Sequence, residues 1–207
     1  MKLIIVRHGE TDKNLMPTHR GIDAPLNKTG RLQSESVARR LAKEKINIIY
    51  SSDLRRARQT TDAILSLQPN VKVVYTKELR ERNSGKSASQ SKNEKETAQK
   101  MSGQSVHDWR PEGGESLRDL KDRSGQWLDT HRTQDAEKTI LIVSHGLFIY
   151  TLLACAIEEG AEIENELYQH RNAAVTILDV PEKGVVKVIH LNDTAHLEKS
   201  VGKLEKE

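Results

Sequence analysis

The sequence predicts an α/β fold, a single-domain, three-layer α/β/α sandwich whose doubly wound, mostly parallel sheet carries helices on both faces. Two observations support this prediction. Short apolar runs rich in β-branched residues alternate along the chain with longer segments whose apolar residues recur at helical spacing. The chain has 207 residues, a length at which one domain can bury a substantial core. We therefore expect residues 1–207 to form one domain.

The first half of the chain is expected to contribute three strands and two helices. An apolar, β-branched run at residues 2–6 predicts a buried strand, and a stripe of apolar residues predicts a helix over residues 29–44. Residues 46–50 predict a second strand. A helix over residues 53–67 follows and is stopped by a proline, because proline lacks the N–H that a helix interior needs. Residues 71–75 predict the third strand.

The second half repeats the alternation and ends in a hairpin. Leucine and tryptophan side chains at helical intervals predict a helix over residues 115–131. A short apolar strand at residues 139–143 then leads into a largely apolar helix that reaches about residue 157. Residues 174–180 and 185–191 predict two final strands on either side of a Pro-Glu-Lys-Gly turn. No internal repeat is visible.

One stretch, residues 84–114, interrupts this alternation, and we call it the rim segment. It is rich in Ser, Lys, Gln, Glu and Gly and nearly lacks large apolar residues, although residues 94–101 are compatible with a short surface helix. Because loops at strand ends often carry specificity, we interpret it as a lid or rim over a cleft. Its expected contacts to a substrate are Trp109, Arg110 and His107. Residues 198–207 are expected to form a flexible, charged tail.

The composition argues against several classes of partner. The net charge is only +3 with both signs interspersed, and no basic stripe with interleaved aromatic residues indicates nucleic-acid binding. Cys155 is the only cysteine, so an intramolecular disulfide and a cysteine-based zinc site are excluded, and we interpret it as an apolar filler of a buried helix. No apolar run approaches the roughly 20 residues that span a bilayer, and no signal peptide is recognisable. We expect a cytoplasmic protein without nucleic-acid or membrane partners.

Three predicted strands run directly into polar motifs. The strand at residues 2–6 ends in Arg7-His8-Gly9-Glu10-Thr11, and the strand at residues 46–50 runs into Ser52-Asp53-Leu54-Arg55-Arg56-Ala57. The strand at residues 139–143 ends in Ser144-His145-Gly146. Ser52 or Asp53 is expected to cap the following helix. Because the carboxyl ends of parallel strands lie on one side of a sheet, two histidines and at least two arginines can converge there. We interpret Gly9 as the residue that lets a bulky anion approach the backbone.

These motifs resemble the histidine phosphatase superfamily, also called the phosphoglycerate mutase-like family. The matching blocks occur in family order and cover nearly the whole chain. They are Arg7-His8-Gly9-Glu10-Thr11 with Asn14, the Ser-Asp-Leu-x-Arg-Ala block at residues 52–57, Glu81 in Leu79-Arg80-Glu81-Arg82, Gly114-Glu115-Ser116, and Ser144-His145-Gly146. The resemblance implies a phosphoglycerate mutase-like fold, and the phosphatase branch is the closer match.

The residue types are those that phosphoryl transfer requires, and the resemblance implies the same roles. Arg7 and Arg56 can neutralise a phosphate dianion through bidentate hydrogen bonds. His8 can attack phosphorus and form a phosphohistidine. His145 can stabilise charge beside the arginines, and Glu81 can protonate the leaving oxygen and later activate water. The predicted activity is a metal-independent phosphohydrolase for phosphate monoesters, such as sugar phosphates or phosphoglycerates, without a cofactor.

The resemblance also implies further substrate contacts. It places Asn14 beside the phosphate, Arg20 and Gly21 in a loop that touches the substrate, and Gly146 in the same pocket. Arg20 departs from the neutral polar residue common at that position. An additional cation there would favour substrates with a second anionic group, whereas a solvent-facing Arg20 would have no such effect.

Other interpretations of the same residues remain open from the sequence. The two histidines could be structural, or could bind a metal together with Glu81, although two arginines beside them would repel a dication. Glu10 and Asp12 are alternative acids. A cofactor-dependent phosphoglycerate mutase is the alternative activity, and a pseudoenzyme that binds phosphorylated ligands is a third interpretation. The sequence does not distinguish a monomer from a homodimer.

Overall fold

The computed structural model describes residues 1–12, 23–157 and 169–198. Six strands of these residues form one sheet in the order β3-β2-β4-β1-β5-β6. The strands are β1 (Lys2–Arg7), β2 (Ile48–Ser52), β3 (Lys72–Thr76), β4 (Thr139–Ser144), β5 (Val175–Asp179) and β6 (Lys187–Asp193). The first four pair in parallel, and β5 and β6 add an antiparallel edge beside β1. The predicted, mostly parallel sheet is confirmed.

Helices cover both faces of this sheet, as predicted. The helices on the sheet are α1 (Lys28–Leu41), α2 (Arg55–Leu65), α4 (Leu117–Gln134) and α5 (Gly146–Ile157), whereas α3 (Lys92–Met101) belongs to the rim segment. Helices α1 and α2 pack together on one face, and α4 and α5 pack together on the other. Each predicted element is present, with its ends shifted by a few residues.

The strand period of two divides the core between the faces. In β1, Leu3 and Ile5 point towards α4 and α5, whereas Ile4 and Val6 point towards α1 and α2, and all four side chains are fully buried. Burying one aliphatic side chain of this size stabilises the fold by about 1.5–3 kcal/mol. A sheet buried on both faces therefore keeps its central strands, and the residues at their ends, in fixed positions.

The start of α2 differs from its prediction. Leu54 is the N-terminal cap, and its side chain makes no capping hydrogen bond, so neither Ser52 nor Asp53 caps this helix. The Asp53 carboxylate accepts two hydrogen bonds of 2.6 Å from the Arg80 guanidinium instead. The prediction was wrong because this bidentate ion pair with a residue distant in sequence holds the Asp53 side chain away from the helix end.

The rim segment is largely superficial. It contains a short 3-10 helix (Gly85–Ser89) and then α3, in which no residue is buried. The single cysteine, Cys155, is half-buried between α5 and α4, and burial raises the pKa of its thiol. No helix in the described part of the chain is both long and apolar enough to cross a membrane.

Candidate active site

The sheet brings the predicted catalytic residues together at one edge. Arg7 at the end of β1 pairs in register with Ser144 at the end of β4, so His8 and His145 follow side by side. Their rings lie 5.1 Å apart between centroids. From the first turn of α2, Arg56 donates its Nε–H to Nε2 of His8 over 3.0 Å. The predicted convergence of two histidines and two arginines is therefore present.

The hydrogen bonds of His8 define its tautomer. The side chain is only 3% exposed, and its Nδ1 lies 2.6 Å from the Gly9 carbonyl oxygen, which can only accept. The proton therefore resides on Nδ1, and Nε2 carries the lone pair that accepts from Arg56. Burial, then Arg56, then Arg7 lower the pKa of His8 well below its usual range. His8 is thus a neutral imidazole whose Nε2 is unprotonated.

Gly9 has a packing role that the sequence did not predict. A Cβ atom at this position would lie 2.4 Å from the Gly30 carbonyl oxygen and 2.9 Å from the Ser34 hydroxyl. The glycine therefore lets the loop after β1 pack directly on α1. The close packing on α1 therefore requires a glycine here, and the approach of an anion to the groups beside Gly9 stays a prediction.

Arg7 is fixed along the wall of the site. Its Nη1 donates to the His170 carbonyl over 2.6 Å, and its Nε has no protein partner among the described residues. A Cβ atom on Gly146 would lie 3.4 Å from Cζ of Arg7, so Gly146 leaves room for the guanidinium. Burial lowers the pKa of Arg7, and Glu81 opposes this effect. A charged guanidinium with a free donor suits an anion.

His145 is fully buried behind His8. Its Nε2 lies 2.8 Å from the Ser52 hydroxyl, and its Nδ1 has no partner within the described residues. Burial, followed by Arg56 and His8, lowers its pKa well below the usual range. His145 is therefore a neutral imidazole that can donate an N–H. Its predicted role in stabilising charge therefore depends on hydrogen bonding, because two guanidiniums already disfavour a third cation.

Glu81 lies at the first turn of α5. One carboxylate oxygen, Oε1, accepts the backbone N–H of Leu147 over 3.1 Å and that of Phe148 over 3.3 Å. The same oxygen accepts the N–H of Arg82 over 3.1 Å. A helix N-terminus favours a carboxylate, which explains why the chain holds the side chain here. Glu81 thus lies in the same cleft as His8 and faces both guanidiniums.

The cleft has a volume of about 1010 Å³ and contains further cations. They are Lys77, Arg80, Arg82 and Arg123. Arg80 is paired with Asp53, and Arg123 forms a bidentate pair with Glu115 at 3.0 Å for both bonds. Arg80 and Arg82 flank Glu81 in its motif, although the sequence assigned them no role. Only their spatial position associates Lys77 and Arg123 with the site.

Three predicted rim contacts are wrong, because Trp109, Arg110 and His107 do not line the cleft. Arg110 turns away to form a bidentate ion pair with Asp119 of α4. The rim segment lines the cleft through Ser84 and Ala88. Its position at the cleft supports the interpretation as a rim, although other residues carry the contacts.

The remaining candidates either lie outside the described residues or do not line the cleft. Asn14, Arg20 and Gly21 lie outside the described residues. Glu10 and Asp12, the alternative acids, do not line the cleft, and Oε1 of Glu10 accepts from Asn27 over 2.9 Å.

His170, which belongs to none of the motifs, is 2% exposed and lines the cleft. Burial, then Arg7, lowers its pKa to about 3. Among residues 1–12, 23–157 and 169–198, no group of three or more His, Cys, Asp or Glu side chains is placed to hold a metal ion.

The fold and this constellation define an α/β protein with two buried, neutral histidines and two guanidiniums at the ends of parallel strands. The chain belongs to the histidine phosphatase superfamily, branch 1, whose family model matches residues 3–194.

Similar proteins include phosphatases and a mutase. A probable phosphatase of Schizosaccharomyces pombe is 32% identical over 214 residues, covering 99% of both chains. A 2,3-bisphosphoglycerate-dependent phosphoglycerate mutase of Bartonella bacilliformis is 30% identical over 85% of this chain and 90% of its own. The structure of a phosphoserine phosphatase from Entamoeba histolytica, in complex with 3-phosphoglyceric acid, has a TM-score of 0.78 and 29% identity, covering 95% of this chain and 98% of that one.

Proposed function

We propose that this protein is a metal-independent phosphohydrolase that cleaves phosphate monoesters of small metabolites through a phosphohistidine on His8. The observation that carries the proposal is the state of that side chain. His8 is a buried, neutral imidazole whose Nε2 faces Arg56 and whose Nδ1–H is held by the Gly9 carbonyl. This combination provides a nucleophile within a site that attracts a dianion.

The first half of the reaction forms the phosphoenzyme. An incoming phosphate receives hydrogen bonds from Arg7 and from Arg56, whose Nε–H leaves Nε2 of His8 and frees its lone pair. That lone pair forms the N–P bond while the P–O bond to the leaving group breaks. The leaving oxygen takes a proton from Glu81, and His145 donates an N–H to the developing negative charge. Water, deprotonated by Glu81, then attacks phosphorus and releases inorganic phosphate and neutral His8.

The remaining features complete the proposal. Asn14, Arg20, Gly21 and Gly146 contribute to substrate binding, and no cofactor takes part. Relatives named as phosphatases, together with the phosphoserine phosphatase bound to 3-phosphoglyceric acid, support phosphorylated small molecules as substrates. The single cysteine supports a cytoplasmic location.

A phosphoglycerate mutase is the alternative activity, and the match to the Bartonella mutase favours it as the second candidate. The match to the probable phosphatase of Schizosaccharomyces pombe covers 99% of this chain, against 85% for the Bartonella mutase, which favours hydrolysis as the first candidate. The two activities share the phosphohistidine and differ in whether water or a substrate hydroxyl receives the phosphoryl group.

One experiment tests the proposal and separates the two activities. The protein is incubated with a panel of sugar phosphates, phosphoglycerates and phosphoserine in the presence of EDTA. We expect stoichiometric release of inorganic phosphate and an acid-labile, alkali-stable phosphoenzyme after rapid quench with labelled substrate. Isomerisation of phosphoglycerate without phosphate release would establish the mutase instead. Activity that is lost in EDTA and restored by a divalent ion would indicate a metallophosphatase.

A further inference from the structure

The peptide unit between His8 and Gly9 is held at both of its ends by side chains from distant parts of the chain. The Gly9 N–H donates to the Thr60 hydroxyl of α2 over 3.1 Å. On the other end, the His8 carbonyl oxygen accepts the side-chain N–H of Asn172, in the loop before β5, over 2.9 Å. Two hydrogen bonds on opposite ends of one peptide unit fix the plane of that unit.

The next peptide unit carries the group that sets the tautomer of the nucleophile. Its carbonyl oxygen, on Gly9, accepts from Nδ1 of His8 over 2.6 Å, and its N–H, on Glu10, donates to the Gln33 side chain over 2.8 Å. Glycine torsions rotate easily, and no larger residue fits at position 9 beside Gly30. The orientation of the Gly9 carbonyl therefore depends on the Gln33 hydrogen bond and also on the hydrogen bonds that hold the preceding His8–Gly9 peptide unit.

Asn172 is itself firmly placed by its neighbour. The N–H of Ala173 donates to the Arg7 carbonyl over 3.0 Å and approaches the His8 carbonyl at 3.3 Å. Ala173 is fully buried and has a φ of 57°, a left-handed conformation that non-glycine residues adopt only where the surroundings impose it. The backbone thus turns sharply at this point and directs Asn172 onto the His8 carbonyl.

The same loop also holds Arg7, and strand β6 braces it. The His170 carbonyl accepts from Nη1 of Arg7 over 2.6 Å. Asn192 of β6 accepts the Arg171 N–H over 2.8 Å and donates to the Gln169 carbonyl over 2.9 Å. Residues 169–173 therefore connect the edge strand β6 to the Arg7 guanidinium and to the backbone of His8.

We propose that Asn172 is a positioning residue that fixes the His8–Gly9 peptide plane and thereby keeps Nε2 of His8 directed at the phosphate. The Asn172 side chain donates a hydrogen bond to the backbone carbonyl of His8, whereas the phosphate is bound by Arg7 and Arg56. Without the Asn172 hydrogen bond, the His8 carbonyl keeps only the longer 3.3 Å contact with the Ala173 N–H, so the peptide plane can turn about the Gly9–Thr60 hydrogen bond and the Gly9 carbonyl no longer holds Nδ1–H. The rate of phosphoryl transfer falls because the attack angle is lost, and phosphate affinity is retained because the guanidiniums are unchanged.

The consequence for catalysis rests on the proposed function, so the test uses two readouts. The first is the imidazole ¹⁵N spectrum of His8, assigned by comparison with His8→Ala, which requires no activity. The second is the single-turnover rate of phosphoenzyme formation. The variants are Asn172→Ala, which removes the donor, and Asn172→Asp, which keeps the shape but has no N–H. The matched control is Asn93→Ala, on the exposed face of α3, and thermal unfolding verifies that each variant is folded.

We expect the wild-type protein and the control to show the Nδ1–H tautomer of His8, and both Asn172 variants to show a mixture of tautomers. Phosphoenzyme formation should slow by about 10- to 100-fold in both Asn172 variants, with inhibition by inorganic phosphate changed less than about threefold. If Asn172→Ala does not fold, Asn172→Asp carries the test. An unchanged tautomer with an unchanged rate overturns the proposal, and so does a loss of phosphate affinity as large as the loss of rate. If wild type forms no phosphoenzyme, the proposed function fails, and the ¹⁵N spectrum alone still decides whether Asn172 positions His8.

Discussion

The catalytic floor (Arg7, His8, Arg56 and His145) and the rim segment form two sides of one cleft, but different forces hold them. His8, Arg56 and His145 are 3%, 9% and 0% exposed and take part in buried hydrogen bonds. The rim segment has no buried residue in α3 and is attached partly by exposed ion pairs, such as Arg110 with Asp119.

This difference follows from what each region has to do. A nucleophile needs a fixed direction and a lowered pKa, and both come from burial at the ends of strands that are packed on two sides. Groups that meet the variable part of a substrate need neither property, so they can lie on a segment that adds little to stability. Substitutions in the floor should therefore change the chemistry, and substitutions in the rim segment should change at most substrate preference.

The largest expected effect is in the floor, at the nucleophile. His8→Ala should lower kcat by about 10⁴-fold or more, because no other group in the cleft replaces Nε2. Rapid quench with labelled substrate should trap no phosphoenzyme on this variant. His190→Ala, at an exposed position of β6, is the matched control and should retain wild-type activity. Full activity in His8→Ala would remove the phosphohistidine mechanism.

The next effect separates acid catalysis from charge stabilisation. Glu81→Gln should slow phosphoenzyme formation from alkyl phosphates by about 10²–10⁴-fold, but should affect p-nitrophenyl phosphate far less, because its phenolate leaves with little protonation. Single-turnover measurement keeps later hydrolysis from hiding the difference.

Arg56→Ala is the comparison for this experiment. It should slow both substrate types, since phosphate charge needs stabilisation whatever group departs. Equal losses for both leaving groups in Glu81→Gln would contradict the assignment of Glu81 as the acid.

An intermediate effect concerns the stability of the floor against acid. His170, with a pKa of about 3, and His8 and His145, with lowered pKa values, stay neutral in the folded protein, whereas unfolded imidazoles titrate near pH 6.5. Above about pH 6.5 these imidazoles are neutral in both states, and the protein keeps its full free energy of unfolding. As the pH falls below that value, the free energy of unfolding decreases because the unfolded state binds more protons. For His170, with its pKa of about 3, this should lower the free energy of unfolding by about 2 kcal/mol between pH 8 and pH 5, and His8 and His145 should act in the same direction.

Denaturant unfolding of wild type and His170→Gln at both pH values measures this contribution. The variant should lose about 2 kcal/mol of the pH dependence whatever its absolute stability. Parallel pH profiles for the two proteins would show that His170 is not held neutral by burial.

The smallest effect is expected in the rim segment. Arg110→Ala removes an ion pair whose arginine side chain is 61% exposed, so the free energy of unfolding should fall by less than about 1 kcal/mol. The kcat should remain unchanged, because Arg110 does not line the cleft. A loss of activity comparable to that of Arg56→Ala would contradict the division between the floor and the rim segment.

Much of the site could be predicted because its chemistry follows directly after strands. Arg7, His8 and His145 are adjacent to apolar runs that identify β1 and β4, and parallel pairing places the ends of these strands together. Arg56 follows β2 in the same way. The rim contacts could not be predicted, because Arg110 has suitable chemistry but its direction depends on Asp119 in α4, and Trp109 lies against Arg82 instead of lining the cleft.

The sequence by itself determined the order of strands and helices, the edge of the sheet that carries the site, and the residues of the catalytic floor. Periodicity and strand-end motifs are local properties, so a single chain displays them. Only the tertiary structure decided the tautomer of His8, the packing role of Gly9, and the approach of His170 and Asn172 to the site. Each of these depends on contacts between segments far apart in the chain, and such contacts leave no pattern in the sequence near either partner.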